Sequence, residues 1–318
     1  MSTQPRIKLG ISTCLLGENV RYDAGHKLDR YLRDVLGRYV DYVPVCPEVE
    51  CGLPVPRESM RLVGTPDRYR LLTSRTERDM TDRMLEWAEG KLAALEKEDL
   101  TGFIFKSNSP SSGMTNVKVY DRNNVPTKKG VGIFARAFLD RFPMLPVEEE
   151  GRLHDADLRE NFVEQIFAHR RWQDLAAGRK SRGALVDFHT RHKLLILAHS
   201  PKHAREMGRL VARARELSPA ELYDEYKRLF MGALAVKATR KKHTNVLQHV
   251  AGYFKRDLEA DERQELAELI MTYHEGHYPL IVPITLINHY VRKYREPYLR
   301  DQYYLNPHPM ELQLRNHP

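Results

Sequence analysis

Gly102-Phe103-Ile104-Phe105-Lys106-Ser107-Asn108-Ser109-Pro110-Ser111-Ser112-Gly113 decides the fold of the first half of this chain. Phe103-Ile104-Phe105 is a short unbroken apolar run, the pattern of a strand buried on both faces, and it empties into a loop of hydroxyls, proline and glycine. The same arrangement occurs twice upstream. Ile7–Ser12 runs into Thr13-Cys14, and Tyr39–Val45 runs into Cys46-Pro47-Glu48-Val49-Glu50-Cys51-Gly52-Leu53-Pro54, a segment too broken by proline to continue as helix or strand. Val117–Tyr120 and Leu145–Glu148 complete five expected strands, and Lys27–Leu36, Thr76–Leu95, Ile133–Arg141 and Leu158–Leu175 are the expected helices between and after them. That alternation predicts an α/β domain, a mostly parallel sheet flanked by helices. Ligand sites in such sheets gather at the carboxyl ends of strands, so three loops far apart in sequence are expected to meet in one crevice.

The second half reads as all-helical. Ser200-Pro201 and Ser218-Pro219 each place a capping hydroxyl before a proline suited to a first helical turn. Leu222, Tyr226, Leu229, Phe230, Ala233 and Leu234 then recur at helical spacing. Helices are expected over Asp187–His199, Lys202–Leu217, Ala220–Lys237, Lys242–Leu258 and Glu262–Glu275. The polar, glycine-bracketed stretch Gly178–Gly183 marks the boundary, giving domains 1–177 and 178–318. No internal repeat and no low-complexity tract interrupts either half.

Composition narrows the class. The chain has 318 residues, 30% of them charged, and no apolar run long enough to span a membrane; Pro279–Ile287, the most hydrophobic stretch, is short and broken by Pro283. Its first residues lack the apolar core of a secretion signal, and with reduced thiols the cytoplasm is the expected compartment. Charge is divided unevenly. Residues 1–177 carry 27 Lys and Arg against 27 Asp and Glu, while residues 178–318 carry 24 against 16 and hold eleven of the fourteen histidines. A neutral half joined to a basic half suggests chemistry in one and polyanion binding in the other.

Three cysteines, Cys14, Cys46 and Cys51, all lie in the first sixth of the chain, inside the loops just described. An odd number excludes a complete disulfide framework. Three thiolates converging on one site would hold a metal or an iron–sulfur cluster with one position open; inert buried thiols, or zinc completed by His26, are the other readings. Glu48, two residues from Cys46, would be placed to move a proton at such a centre. Asn108, Ser109, Ser111, Ser112 and Gly113 offer hydroxyls and amides for a substrate's polar edge, or form an ordinary strand-to-helix turn. Gly130-Val131-Gly132 resembles a dinucleotide fingerprint only superficially and reads as anion binding or tight packing at a helix start, so no NAD is expected. Glu148-Glu149-Glu150 reads as a solvated acidic turn, with a role in catalysis or magnesium binding as the alternative. Around Lys237–Asn245, the cations Arg240, Lys241 and Lys242 with His243 form a candidate RNA-binding patch, joined by Lys193; Tyr223, Tyr226, Tyr253 and Phe254 are either stacking surfaces or core. His189-x-x-His192 and His199-x3-His203, lacking acidic partners, read as RNA-facing or packing residues.

Ile11-Ser-Thr-Cys14-Leu-Leu-Gly, Cys46-Pro-Glu48-Val and Ser109-Pro-Ser-Ser-Gly113 resemble the motifs of the thiouracil desulfidase family. Residues 184–315, from Ala184-Leu-Val-Asp-Phe-His to Ala238-Thr-Arg-Lys-Lys-His-Thr-Asn, resemble a helical domain often fused to it. The fusion is similar to bacterial desulfidases acting on 4-thiouridine in tRNA. This resemblance implies a 4Fe–4S cluster held by three cysteines, with the fourth iron open to the substrate's sulfur. Cys14 and Cys46 match two ligand positions. The third departs, because relatives carry cysteine where this chain has Ser112 and glycine where it has Cys51; the thiol count stays at three while one position moves, from which we infer Cys51 as the replacement, with a Ser112 oxygen as the alternative. Glu48 and Ser109 match the family's acid/base and its partner, and tRNA containing 4-thiouridine is the implied partner molecule.

Overall fold

The computed structural model describes residues 7–317. The chain divides into two compact units between Asp155 and Ala156. This falls before, not after, the long helix that the sequence reading gave to the first half. Ala168 and Trp172 on that helix are buried in the core of the helical unit, and buried side chains rather than linker composition set the division.

The first unit is built on strands β1 (Ile7–Ser12), β2 (Val40–Val45), β3 (Met60–Thr65), β4 (Arg68–Thr73), β5 (Gly102–Phe105), β6 (Val117–Tyr120), β7 (Pro126–Gly130) and β8 (Val147–Glu149). One sheet, in the order β2-β1-β5-β8, is parallel throughout, with Ile7 opposite Val40 and Leu9 opposite Gly102. The second, in the order β4-β3-β6-β7, is mixed and was not anticipated beyond β6. All four residues of β5 are buried, as its unbroken apolar run requires. Phe103, Phe105, Phe134 and Phe138 pack with ring centroids 4.4–6.4 Å apart. Gly10 makes room for them: a Cβ there would lie 2.2 Å from the Phe103 ring.

Helices α1 (Pro47–Glu50), α2 (Thr81–Glu96) and α3 (Ile133–Arg141) belong to this unit. The proline-broken cysteine segment does form one turn of helix, α1, because Pro47 occupies the first position, where no backbone donor is needed. The expected helix Lys27–Leu36 shrinks to a π turn over Tyr31–Val35 and a 3-10 turn over Leu36–Arg38. Its first residues are held elsewhere: Lys27 N–H donates to the Cys14 carbonyl and Asp29 N–H to the Leu15 carbonyl.

The second unit contains α4 (Ala156–Ala177), α5 (Arg182–His199), α6 (Pro201–Ala212), α7 (Pro219–Leu234), α8 (Arg240–Ala251), α9 (Ala260–Glu275), α10 (Ile281–Lys293) and α11 (Pro297–Arg300). Ser200 and Ser218 cap α6 and α7, and Ser218 with Glu221 closes a reciprocal capping box. The apolar stretch around Pro283 forms α10. Pro283 is its third residue, still within the turn whose N–H groups have no helical partner. Trp172 stacks on Tyr226 at 5.6 Å in a core that also buries Tyr223, Phe230 and Phe254. No helix among the described residues is long and apolar enough to cross a membrane.

Candidate functional site

In the parallel sheet β2 and β5 lie on opposite sides of β1, so the chain reverses direction there and leaves a crevice at the carboxyl ends. The backbone N–H of Lys106 donates to Ser12 Oγ at 2.9 Å, tying the ends of β1 and β5 together. A cavity of about 400 Å³ opens at this point. Cys14 from the turn after β1, Cys46 and Glu48 after β2, and Asn108, Ser109 and Ser112 after β5 all line it. The three loops do meet.

Glu48 is held in place by hydrogen bonds to hydroxyl and thiol. Ser111 Oγ donates to Glu48 Oε1 at 2.5 Å, and Ser109 and Ser111 hydroxyls are 2.9 Å apart. The link expected between Glu48 and Ser109 thus passes through the fully buried Ser111. The Cys46 thiol lies 3.6 Å from Glu48 Oε2, and Arg57 Nη2 lies 3.9 Å from the same oxygen. Burial pushes the Cys14 thiol up to about 11 and the Cys46 thiol up to about 12, with the Glu48 charge adding to both. These thiols keep their protons until a cation displaces them.

Cys51 is placed differently from its two companions. It ends α1, its thiol donates to the Glu48 carbonyl at 3.3 Å, and its side chain packs with Leu62, Leu71 and Met80 outside the cavity wall. Ser112, 3% exposed, takes a place in that wall. Asn108 adopts a left-handed backbone (φ 58°), which lets the loop turn back sharply after the strand. Gly113 tolerates no side chain, since a Cβ would sit 2.4 Å from Val117 and 2.8 Å from the Ser109 carbonyl.

The three consecutive glutamates are not a solvated turn. All are buried, and two of them grip the ends of the serine loop. Glu150 accepts from Ser107 N–H at 2.6 Å and Ser107 Oγ at 2.8 Å and also pairs with Lys106, while Glu149 accepts from Met114 N–H at 2.7 Å and Thr115 N–H at 3.2 Å. Glu148 pairs with Arg152. Sequence reasoning missed these positioning residues; the signal was an acidic run directly at the end of a strand. At Gly132 a Cβ would lie 2.4 Å from the Ser111 carbonyl carbon, and Gly132 N–H donates to the Gly113 carbonyl. The glycines at the start of α3 therefore serve tight packing against the serine loop.

In the helical unit the candidate RNA patch is only partly presented. Lys193, Arg240 and Lys241 are exposed. Lys242 Nζ is spent on the His199 and Lys237 carbonyls, and the Arg240 guanidinium lies against Gly276 at the end of α9. His243 is no surface residue: it is buried 3.2 Å from Tyr304 Oη, and burial with Arg315 nearby pushes it down to about 3. His189, His192 and His199 are likewise buried, as are Tyr223, Tyr226 and Phe254, leaving Tyr253 exposed. Beside them lies a buried ionic cluster, whose Glu160 and Glu164 line a cavity of about 180 Å³ together with Asp157, Arg240 and His243. Arg315 bonds Glu160 at 3.0 Å and Glu164 at 2.6 Å, and His199 Nε2 lies 3.0 Å from Glu164. Burial opposes ionisation of Glu164, but Arg315 and His199 prevail and hold it below the usual carboxylate range. Burial and the Glu164 charge push Glu160 up to about 8. His308 approaches the two carboxylates with metal-ligand proximity, but Arg315 already supplies the cation they need.

Residues 9–150 match the family model described as 2-thiouracil desulfurase, and residues 193–309 match one described as a protein of unknown function, DUF1722. Over 153 residues the chain is 37% identical to the Escherichia coli (strain K12) protein described as "Uncharacterized protein YbgA", a match that takes in 48% of this chain and 90% of that protein. The solved 4Fe–4S-dependent thiouracil desulfidase TudS is 30% identical, covering 47% of this chain and 95% of that one with a TM-score of 0.39. The chain therefore belongs to the thiouracil desulfidase family through its first unit, and its second unit carries a DUF1722 region.

Proposed function

We propose that this member of the thiouracil desulfidase family converts 4-thiouridine in tRNA to uridine. The observation that carries the chemistry is the cavity that gathers two thiols, a carboxylate and a hydroxyl chain at the carboxyl ends of β1, β2 and β5.

A 4Fe–4S cluster is the cofactor this donor set suits. Cys14 and Cys46 would hold it from the cavity wall, where Arg57 and Lys106 offset negative charge. For the third position, location favours Ser112 and donor chemistry favours Cys51; we assign Cys51, because protein ligands to such clusters are thiolates. When bound, the cluster supplies a thiophilic iron with an open position that stabilises sulfur leaving the pyrimidine C4. Glu48 accepts a proton from the water that attacks C4 and returns one to the departing group. Ser111, hydrogen-bonded to Glu48 and to Ser109, fixes which carboxylate oxygen faces the cavity. Replacing C4=S by C4=O consumes one water and no net electrons.

Charge supports RNA over a free base. Residues 156–318 carry 27 Lys and Arg against 20 Asp and Glu. Lys193 and Lys241 present part of that excess to solvent, which suits phosphate contacts that offset the cost of drawing a base from its stack. The test is anaerobic turnover of thiolated tRNA against free 4-thiouracil. The reading expects loss of tRNA thiouridine at low salt, weakening as salt rises. Turnover of the free base alone would overturn the tRNA assignment, and a protein that binds no iron would overturn the chemistry.

A further inference from the structure

The cavity of about 180 Å³ within the helical unit has no part in the desulfidase chemistry. Its walls come from three helices and the chain end: Glu160 and Glu164 of α4, Arg240 and His243 at the start of α8, Tyr273 near the end of α9, and His317. The acceptors around it are already engaged. Glu164 pairs with Arg315 at 2.6 Å and His199 at 3.0 Å, Glu160 with Arg315 at 3.0 Å, and Asp157 with Lys237 at 2.7 Å and His317 at 3.1 Å. Asn161 Oδ1 accepts the Ala238 N–H at 3.4 Å.

The groups left over are donors. Arg240, exposed at the rim, makes no ion pair among the described residues. Tyr273 is only 5% exposed and lines the cavity, yet its hydroxyl has no hydrogen-bond partner among the described residues; burial beside Glu160 keeps that hydroxyl protonated. His243 is held through Nδ1 alone. Helix α8 begins at the cavity, and Thr239 before it supplies no side-chain cap, so its positive end goes unanswered there. Burial also holds Glu160 up to about 8, and its carboxyl keeps a proton at neutral pH. Histidines apart, the cations Lys237, Arg240 and Arg315 then outnumber the anions Asp157 and Glu164. Water satisfies donors one by one; an oxyanion answers the donors and the excess charge together. A cationic ligand would meet Arg240 and Arg315 and no carboxylate without a partner.

We propose that this cavity is a second ligand site, taking a terminal phosphate group held by the Arg240 guanidinium, the Tyr273 hydroxyl and the N-terminus of α8. The terminal oxygens of a phosphate match those three donors, where a carboxylate offers two oxygens. A recess of this size suits an end group; a phosphodiester within a chain leaves on two sides and needs an open groove. The site stands apart from the desulfidase reading, since no thiol and no open metal position is involved. The 5′-phosphate end of an RNA, a mononucleotide and inorganic phosphate share this chemistry.

Calorimetric titration of the full chain at constant ionic strength tests it, with inorganic phosphate, uridine 5′-monophosphate, and one short RNA in 5′-phosphate and 5′-hydroxyl forms as probes. Phosphate is expected to bind saturably, and acetate about tenfold more weakly. Arg240→Ala should weaken phosphate binding about tenfold, with Arg240→Lys restoring part of it, and Tyr273→Phe should weaken it about fivefold. Arg256→Ala removes an exposed cation of the same unit outside the cavity and should leave phosphate affinity as it was. Tyr273→Phe keeps the packed ring and carries the test should Arg240→Ala not fold. Tighter binding of the 5′-phosphate RNA, with the gap closed by Arg240→Ala, identifies an RNA end as the source of the phosphate. Binding of phosphate and the mononucleotide with both RNAs alike identifies a free one. No saturable phosphate binding by the wild type, or the same affinity in Arg240→Ala as in Arg256→Ala, would overturn the site.

Discussion

The two units use polar side chains in opposite ways. In the first, Cys14, Cys46, Glu48 and Ser109 stand at strand ends and face a cavity, with Glu149 and Glu150 gripping the loop that carries the serines. In the second, His243, His199, Glu160, Glu164 and Arg315 are buried and bonded to one another, to the backbone or, for His243, to the Tyr304 hydroxyl. Removing a polar group should therefore cost turnover in the first unit and stability in the second.

The sharpest way to break that contrast is Glu48→Gln. The amide keeps the shape and loses the proton acceptor, so kcat should fall about 10²–10⁴-fold while the unfolding temperature changes little. A variant that unfolds early, with turnover per folded molecule preserved, would make Glu48 structural. The matching test in the helical unit is Arg315→Ala. It leaves the Glu164 charge buried without its main partner, a loss of about 3–5 kcal/mol. In a Trp87→Phe background Trp172 is the one remaining tryptophan and reports that core by fluorescence. Unchanged unfolding there would place the ionic cluster outside the stabilising core.

Acid should separate the units more gently. Burial, aided by Lys227, pushes His169 down to about 3; burial, aided by Arg315, does the same to His243; burial and Lys193 push His189 down to about 4. Below the ordinary value of about 6.5 the unfolded chain binds protons that the folded one refuses. Each histidine then withdraws up to about 1.4 kcal/mol per pH unit as pH falls from about 6.5 toward its folded value. Glu160, raised to about 8, acts with the opposite sign: its contribution is complete below the unfolded carboxyl value and is lost as pH rises through 8. Stability of the helical unit, followed by Trp172 fluorescence during thermal unfolding, should peak near pH 6.5. A profile flat from pH 4 to 7 would show that these histidines are not held neutral by burial.

The parts of the fold legible in the sequence were those with a local cause. The apolar run of β5, the capped starts of α6 and α7 and the strand-then-cysteine pattern of β1 are written in neighbouring residues. The second sheet was not, because β3 and β4 are short and charged and bury little beyond Leu62 and Leu71. Their pairing depends on a partner, β6, more than forty residues on. Basic residues 240–243 were readable as a patch but not as a surface: period and neighbours decide which side of a helix faces the core, and His243 fell inside.

By itself the sequence determined the chemistry available to this protein. It supplied three thiols, one nearby carboxylate and a hydroxyl loop, each following a strand, and a basic helical half beside them. Residue type and short-range pattern are local properties, and they suffice for that. Tertiary structure alone decided which groups share a wall. It brought Ser111 between Glu48 and Ser109, turned Cys51 away among leucines while Ser112 took a place in the cavity, and set buried glutamates to hold the loop from behind. Those outcomes depend on sheet order and on the few ångströms separating packed loops, which only long-range pairing of the strands can fix.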